Sequence, residues 1–589
     1  MNLTPEQLAI LSTNHDMVIN AVAGSGKTTT LIEYAKRKPS TARILYLAFN
    51  KTVKNEAELK FNAAGLNNVK VETAHSLAFD RIVKRSRYNV VVEYKSYEWI
   101  DLLNINTGDL HTDYMISNHI SKFISYFCNS TATKVQDLNY TDTVQDQQAR
   151  QFVHHYYDLI EKFTRLALAK MDKAEISITH DFYLKKFQLS NPKLAYDYIL
   201  FDEGQDASGA MLQVFLEQPA VKIIVGDMHQ QIYGWRYAIN SLQKVDFSFY
   251  PLSHSFRFDD EIAFVANKVL SWKRHLDQQP AVQVIGDGVR SPVIFSKATL
   301  ARTNVSLMVN AINLWQSGKI KKVFFEGNIN SYVFADEGAS LYDVLNLYNG
   351  KLDKIKDKVI KSVNSIKALE EYIEKTEDNS LRSIVEVVKQ YGNDLPWLIK
   401  DLKENHAASK EEADMVFSTI HRCKGLEYDE VTLLNDFITE EKLLKNIADS
   451  GDKKMRDIDK ERLTEEVNIL YVAITRAKNR LIIPPELNPM QSVQVQIQDT
   501  PTYKRKYTRE VDEFETLRNN RLGFSEKGNS RTASNHGKSW KHQEEQDLID
   551  LYQQGLSLEE IAKKLKRGAN GVRFKLIGLG LVDDYDTSF

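Results

Sequence analysis

Cysteine is nearly absent from this chain: two residues in 589, Cys128 and Cys423. Their neighbours suggest neither a disulfide framework nor a metal site, so the fold has to come from apolar burial. No run of 18 apolar residues occurs. That excludes a membrane-spanning helix, and no membrane partner is expected. A dominant charge is missing too. The 77 Lys and Arg against 79 Asp and Glu leave a net charge of −2. This excludes a histone-like basic protein but not a local basic groove, because binding follows the local field. The opening residues MNLTPEQLAILSTNHD lack the basic-then-apolar pattern of a signal peptide.

What is present is a soluble globular mixture, 42% hydrophobic and 26% charged, in a chain too long for one core. Residues 17–30 read MVINAVAGSGKTTT, and a helix-compatible stretch follows. A short apolar strand therefore enters a Gly/Ser turn and then a helix. The phosphate-loop pattern fits at Gly26, Lys27 and Thr28, with Ala21 in place of the first glycine. Gly24 and Gly26 let backbone N–H groups turn inward on phosphate oxygens, and the helix start adds partial positive charge. The expected nucleotide grip is Ala23, Gly24, Ser25, Gly26, Lys27, Thr28 and Thr29. Lys27 can reach the β/γ-phosphates and Thr28 can ligate Mg²⁺.

A second apolar run, YDYILFDEGQD (196–206), ends in adjacent acids. Asp202 at the strand end would hold Mg²⁺ through water, and Glu203 would polarise the attacking water. ATP and Mg²⁺ are the expected cofactors. Further short, β-branched runs at 42–49, 69–73, 221–227, 429–434 and 479–483 are separated by helix-length segments. They imply α/β domains with doubly wound parallel sheets. Ligands in such sheets sit beyond the carboxyl ends of the strands, where both phosphate motifs fall.

Between these strands lie LTPEQ (3–7), AFNK (48–51), TAHSLA (73–78), GDMHQQIYGWRYA (226–238), SHSFRF (253–258), LARTN (300–304), STIHRCKGLEYDEV (418–431) and EEVNILYVAITRAKNRL (465–481). In order and spacing they resemble the UvrD/Rep/PcrA group of superfamily 1A helicases, over roughly residues 1–485. ITHDFYLKKFQL (178–189) leading into YDYILFDEGQD is most similar to the F-box DNA helicase branch, although no F-box precedes it. The resemblance implies two RecA-like motor lobes with ATP between them. It also implies 3′→5′ travel on single-stranded DNA, in repair, recombination or replication, with ss/ds junctions as partners. Gln7 matches the residue that reads adenine, and Phe256 the aromatic that stacks on it. Gln230, Arg257 and Arg476 match γ-phosphate sensors, and Glu427 the acid near the ribose. Phe49, Tyr233 and Trp235 match aromatics that stack on bases, with Arg236 beside them for a phosphate. Asn50, Thr73, His75, Thr419 and His421 match polar contacts to the strand. A cytoplasmic, nucleoid-associated location in a bacterial or phage-like context goes with this reading.

The expected organisation is a first lobe from 1–85 and 180–255 with a helical insertion at 86–179. The second lobe takes 256–328 and 413–485, with a reduced insertion at 329–412. A linker at 486–537 leads to residues 538–589. These read as three helices, with Trp540 opening a module that resembles a Myb/SANT-like helix-turn-helix. Arg567, Arg573 and Lys575 would face DNA if the third helix enters the major groove; a protein-docking bundle is the equal alternative. Asp80 with Glu93 and Lys95 resembles a nuclease pattern, but it lies where the family inserts helices, and a solvated Glu/Lys pair accounts for it. Two other functions compete with a helicase. One is an ATP-driven nucleic-acid sensor or protein-displacing translocase of a genome-defence complex. The other is a phosphate-loop ATPase unrelated to DNA.

Overall fold

The computed structural model describes residues 3–278, 282–335, 338–449 and 455–487, and a few positions beyond 546. The chain divides into two compact units, residues 1–500 and 501–589.

Among the described residues of the first unit thirteen strands form. They are β1 (Met17–Ala21), β2 (Ile44–Ala48), β3 (Val69–Thr73), β4 (Tyr198–Phe201), β5 (Val221–Gly226), β6 (Ser248–Leu252), β7 (His254–Ser255), β8 (Ile285–Gly286), β9 (Lys297–Ala301), β10 (Val323–Phe325), β11 (Met415–Thr419), β12 (Tyr428–Leu433) and β13 (Ala477–Ile482). Six make a parallel sheet in the order β3-β2-β4-β5-β1-β6, and five make another in the order β10-β11-β9-β12-β13. Strands β7 and β8 pair separately.

Why both faces of the sheets are covered follows from the period-2 geometry of a strand. In β1, Met17, Ile19 and Ala21 enter one core while Val18 enters another; in β2, Ile44, Tyr46 and Ala48 part from Leu45 and Leu47 in the same way. The first face is closed by Ile10, Leu31, Tyr34 and Phe61 from helices Pro5–Leu11, Lys27–Lys36 and Lys51–Ala63. The second sheet packs helices Asp260–Ser271 and Asp457–Ile474 against Leu300, Val416, Val431 and Leu433. Continuous apolar runs in the strands are thus the mark of parallel, two-sided burial.

The two segments read from the sequence as insertions contain helices. Helices Ser96–Leu103, Leu110–Asn129 and Gln147–Asp172 form the first, and five helices between Leu341 and Glu404 the second. They share one hydrophobic core, in which Phe123, Phe152 and Ile120 belong with Leu369, Tyr372 and Ile373. Polar contacts finish the seam. Glu377, in a left-handed backbone at φ +53°, accepts from the N–H groups of Gln145 (2.8 Å) and Asp146 (2.5 Å) at a helix start. Buried His119 lies 2.9 Å from both the Tyr140 hydroxyl and the Lys375 carbonyl. The nuclease-like pattern dissolves in three dimensions: Asp80 pairs with Lys84, and Glu93 with Lys95 on a loop.

In the second unit, helix Leu558–Leu565 buries Ile561 and Ala562, and Leu548 and Val572 are buried as well. Lys575 is helical and half-buried. Trp540, Arg567 and Arg573 lie outside the described residues.

Phe417 is fully buried in β11, inside the second sheet. Phe417→Ala should cost about 3–5 kcal/mol through lost transfer energy and a residual cavity. Urea denaturation of the full chain checks this. An unshifted midpoint would contradict the packing.

Candidate active site and nucleic-acid interface

Two glycines shape the turn after β1. Gly24 (φ +76°) and Gly26 (φ +77°) adopt the left-handed conformation that other residues resist. Gly24 also has no room for a side chain: a Cβ there would lie 2.6 Å from Arg257 Cβ and 2.8 Å from Ser255 Oγ. The Phe256 N–H donates to the Gly24 carbonyl at 3.0 Å. The SHSFRF string therefore lies directly on the loop. Lys27 opens the helix, whose first-turn N–H groups lack helical partners. Ser25 Oγ is buried with no hydrogen-bond partner.

At the end of β4, Asp202 is buried and accepts from the Tyr46 hydroxyl and from the Glu203 N–H (2.9 Å). Glu203 occupies a left-handed backbone, φ +54°. Such a conformation in a non-glycine residue is strained and aims the carboxylate inward. It meets Lys27 Nζ at 2.6 Å. Burial works against the charge on Glu203, yet Lys27 and Lys424 outweigh it and hold the carboxyl well below its usual range. Burial and the neighbouring Glu203 charge raise Asp202. Burial opposes the charge on Lys27 as well, and the acids Glu203 and Asp202 overcome it, raising its proton affinity.

Two arginines approach from the other side. Arg257 donates to Glu427 (2.8 Å) and to the Thr475 carbonyl (2.9 Å). Arg476 is buried and donates to the Val472 and Leu426 carbonyls and the Thr475 hydroxyl, all neutral oxygens. Burial, then repulsion from Arg257, lowers its pKa to about 10. A buried cation with only neutral partners is costly and favours an arriving anion. An orphan hydroxyl, a glycine cradle, Lys27 and two arginines form the donor set a triphosphate requires. Asp202 and Thr28 supply the hard oxygens that suit Mg²⁺.

Gln7 sits at the loop's rim, its amide bonded to the Thr4 N–H (3.0 Å) and Thr30 Oγ1 (3.1 Å). Phe256 leaves an open ring, 49% exposed. Ala23 is buried and Thr29 half-buried. Gln230 donates to Asp227 (2.8 Å), which also accepts from Tyr471 (2.9 Å). Its carbonyl takes Lys424 Nζ at 2.7 Å, and the same ammonium pairs with buried Asp206. Lys424, Tyr471 and Asp227 were not among the residues expected here. Lys424 and Tyr471 lie inside quoted motifs, but only the fold brings them opposite the first sheet.

The expected DNA contacts divide by what their side chains already do. Asn50 caps the helix Lys51–Ala63, accepting from the Val53 N–H at 2.9 Å. Thr73 caps Ala74–Ile82 in a reciprocal box with Ser76. Thr419 is buried at the end of β11. His75 packs edge-on against Tyr183, and burial lowers its pKa. Phe49 and Tyr233 stack on one another, 5.6 Å apart at 23°. Tyr233 also carries Lys424 at 4.9 Å and donates to the His421 carbonyl at 3.2 Å. His421 in turn lies 3.0 Å from the Ile232 carbonyl. Trp235 is different: it is 59% exposed, with the Arg236 guanidinium 4.6 Å from its ring centre.

Lys273, nearly fully buried, lies 2.8 Å from His229 Nδ1 in the GDMHQQ string. Burial lowers Lys273 to about 7 despite Asp227, and pushes His229 well below its usual value. Below pH 7 Lys273 is protonated folded or unfolded. Between pH 7 and its ordinary value of 10.5 only the unfolded chain holds the proton. Its contribution to stability therefore rises with pH over that interval. The stability of Lys273→Met minus that of wild type should fall between pH 7 and pH 9 in urea denaturation. A pH-independent difference would mean that Lys273 keeps its ordinary proton affinity.

Residues 3–247 match the UvrD/REP helicase N-terminal domain. F-box DNA helicase 1 of Gallus gallus is 28% identical over 521 residues, covering 83% of this chain and 49% of the relative. F-box DNA helicase protein 1 of Schizosaccharomyces pombe is 27% identical over 541 residues, covering 84% and 58%. A probable DNA helicase of Mycoplasma pneumoniae is 23% identical over 519 residues, covering 82% and 83%. The chain spans about half the length of the two F-box relatives. Among the described residues no helix is long and apolar enough to cross a membrane. With the ordered motifs and the parallel sheets, these matches support a likeness to the UvrD-like superfamily 1 helicases.

Proposed function

We propose that the protein is an ATP-driven, Mg²⁺-requiring motor that travels 3′→5′ along single-stranded DNA and opens ss/ds junctions. Its two sheets would be RecA-like lobes, with residues 1–85 and 180–255 in one and 256–328 and 413–485 in the other. The observation that carries the reading is the convergence of Lys27, Asp202 and Glu203 with Arg257 and Arg476, together with the exposed Trp235 beside Arg236.

The chemistry follows from that set. Phosphoryl transfer needs positioned cations and an oriented water. Lys27 and the N–H groups after Gly24 would hold the phosphates. Mg²⁺, held through Thr28 and Asp202, would neutralise charge developing on the phosphate oxygens. Glu203, kept ionised by Lys27 and Lys424, would accept a proton from water once phosphate oxygens draw Lys27 away. Arg257 would exchange Glu427 for phosphate, and Arg476 would gain the counter-charge that its burial lacks. Gln7 and Phe256 would take the adenine and Glu427 the ribose. Trp235 and Arg236 would meet a base and a phosphate, a sequence-tolerant combination. Phe49 and Tyr233 would offer a base only the faces left outside their mutual stack.

Lys27→Ala should lower turnover at least about 100-fold by removing a preorganised cation, in a chain that still folds. Wild-type ATPase unaffected by single-stranded DNA would refute the motor. Trp235→Ala should weaken binding of a fluorescent oligo-dT by about 1–3 kcal/mol; unchanged affinity and DNA-stimulated turnover would favour an ATPase unrelated to DNA. Duplexes with 3′, 5′ or no tails test direction. Strong translocation without strand separation on the 3′-tailed duplex would favour a sensor or protein-displacing motor.

A further inference from the structure

Helix Asp457–Ile474 meets the GDMHQQIYGWR loop over residues 465–471. Tyr471 donates to Asp227 Oδ2 (2.9 Å), Asn468 Nδ2 to the Gln231 carbonyl (2.9 Å), and the Gly234 N–H to Glu465 Oε1 (3.1 Å). Three residues spaced one helical turn apart thus grip, in reverse order, three points of a loop running from the first sheet to Trp235. The grip is close. A Cβ on Gly234 would come within 2.6 Å of Glu465 Oε2, so a side chain there would push this carboxylate aside. The next residue is the exposed Trp235.

The helix is tied down at two points. At its carboxyl end the Thr475 carbonyl accepts from Arg257, and Arg476 follows. At mid-helix Glu466 takes Arg302, the residue after β9, through Nη2 and Nε of its guanidinium, at 2.8 and 3.0 Å. Ten residues separate Glu465 from Thr475, a rise of about 15 Å. The stripe therefore spans from the arginines of the nucleotide cleft to the stacking loop. Glu465 is half-buried, and desolvation raises its pKa to about 7; as acid or carboxylate it can accept the Gly234 N–H.

We infer that Glu465 and Asn468 are positioning residues that carry the state of the nucleotide cleft to Trp235. Each touches loop backbone, so a shift of the helix moves the loop rather than rotating a side chain. This rests on the motor reading above. Neither residue reaches the phosphates or DNA.

The test uses the full chain with Glu465→Ala, Glu465→Gln and Asn468→Ala. ATPase is measured with and without saturating oligo-dT. Fluorescence of a 2-aminopurine oligonucleotide is followed as a non-hydrolysable ATP analogue is added. Wild type should show a nucleotide-dependent fluorescence change. Glu465→Ala and Asn468→Ala should lose it, and their DNA-stimulated to unstimulated ratio should fall about fivefold, the equivalent of one hydrogen bond. KM for ATP should stay within about twofold, because no phosphate contact is touched. Glu465→Gln keeps the acceptor and should behave as wild type. If Glu465→Ala does not fold, Asn468→Ala against Glu465→Gln carries the comparison. Unchanged coupling in Asn468→Ala, or a wild type that is DNA-stimulated without a fluorescence change, overturns the inference alone. A wild type without DNA stimulation overturns the motor reading, and this with it.

Discussion

The cleft depends on one ammonium. Lys424 leaves the turn before β12 and crosses to the first sheet, pairing with Asp206 and capping the Gln230 carbonyl, with 9% and 0% of the two side chains exposed. A pair this dry repays little of its desolvation, and burial raises Asp206 to about 6 even with the cation in contact. Its value lies in registration. Losing either partner would strand a buried charge, so the two sheets are held to one alignment. The same cation lies over Tyr233 and helps keep Glu203 ionised. Lys27 pairs with Glu203 directly, so two lysines from different parts of the chain hold that carboxylate ionised.

Much of this was legible in the sequence where one local rule decided the outcome. A β-branched run before Gly-x-Gly-Lys, and another before Asp-Glu, predict β1 and β4 within a residue or two. Strands that were not foreseen broke the local rules for identifiable reasons. β6 contains Pro251, tolerated because this strand lies at the sheet's edge. β10 has only three residues, and β11 runs into a motif whose polar residues conceal its apolar alternation. The central β9, Lys-Ala-Thr-Leu-Ala, has small side chains that carry little pattern.

The site shows the same division. Residues whose role is set by backbone shape, such as Gly24 and Gly26, can be recognised from type and spacing alone. Roles set by a partner hundreds of positions away cannot. Asn468 lies in an apolar helix stretch and looks like an ordinary interruption until Gln231 comes opposite. Asn50 and Thr73 stand at positions that suggest strand contacts, yet their side-chain oxygens serve as helix caps. A cap and a ligand contact draw on the same polar residues, and sequence does not separate them.

The shared core of the two insertions has a consequence in time. The first insertion closes at Asp172, but the helices that cover its apolar flank begin at Leu341 and end at Glu404. At ribosomal speeds of about 5–20 residues per second, the flank of Phe123 and Ile120 stays uncovered for roughly 8 to 50 seconds. The nascent chain therefore passes through an interval of aggregation risk set by gene order rather than by the stability of the finished fold. A split gene that supplied residues 341–404 early would shorten that interval without altering one native contact.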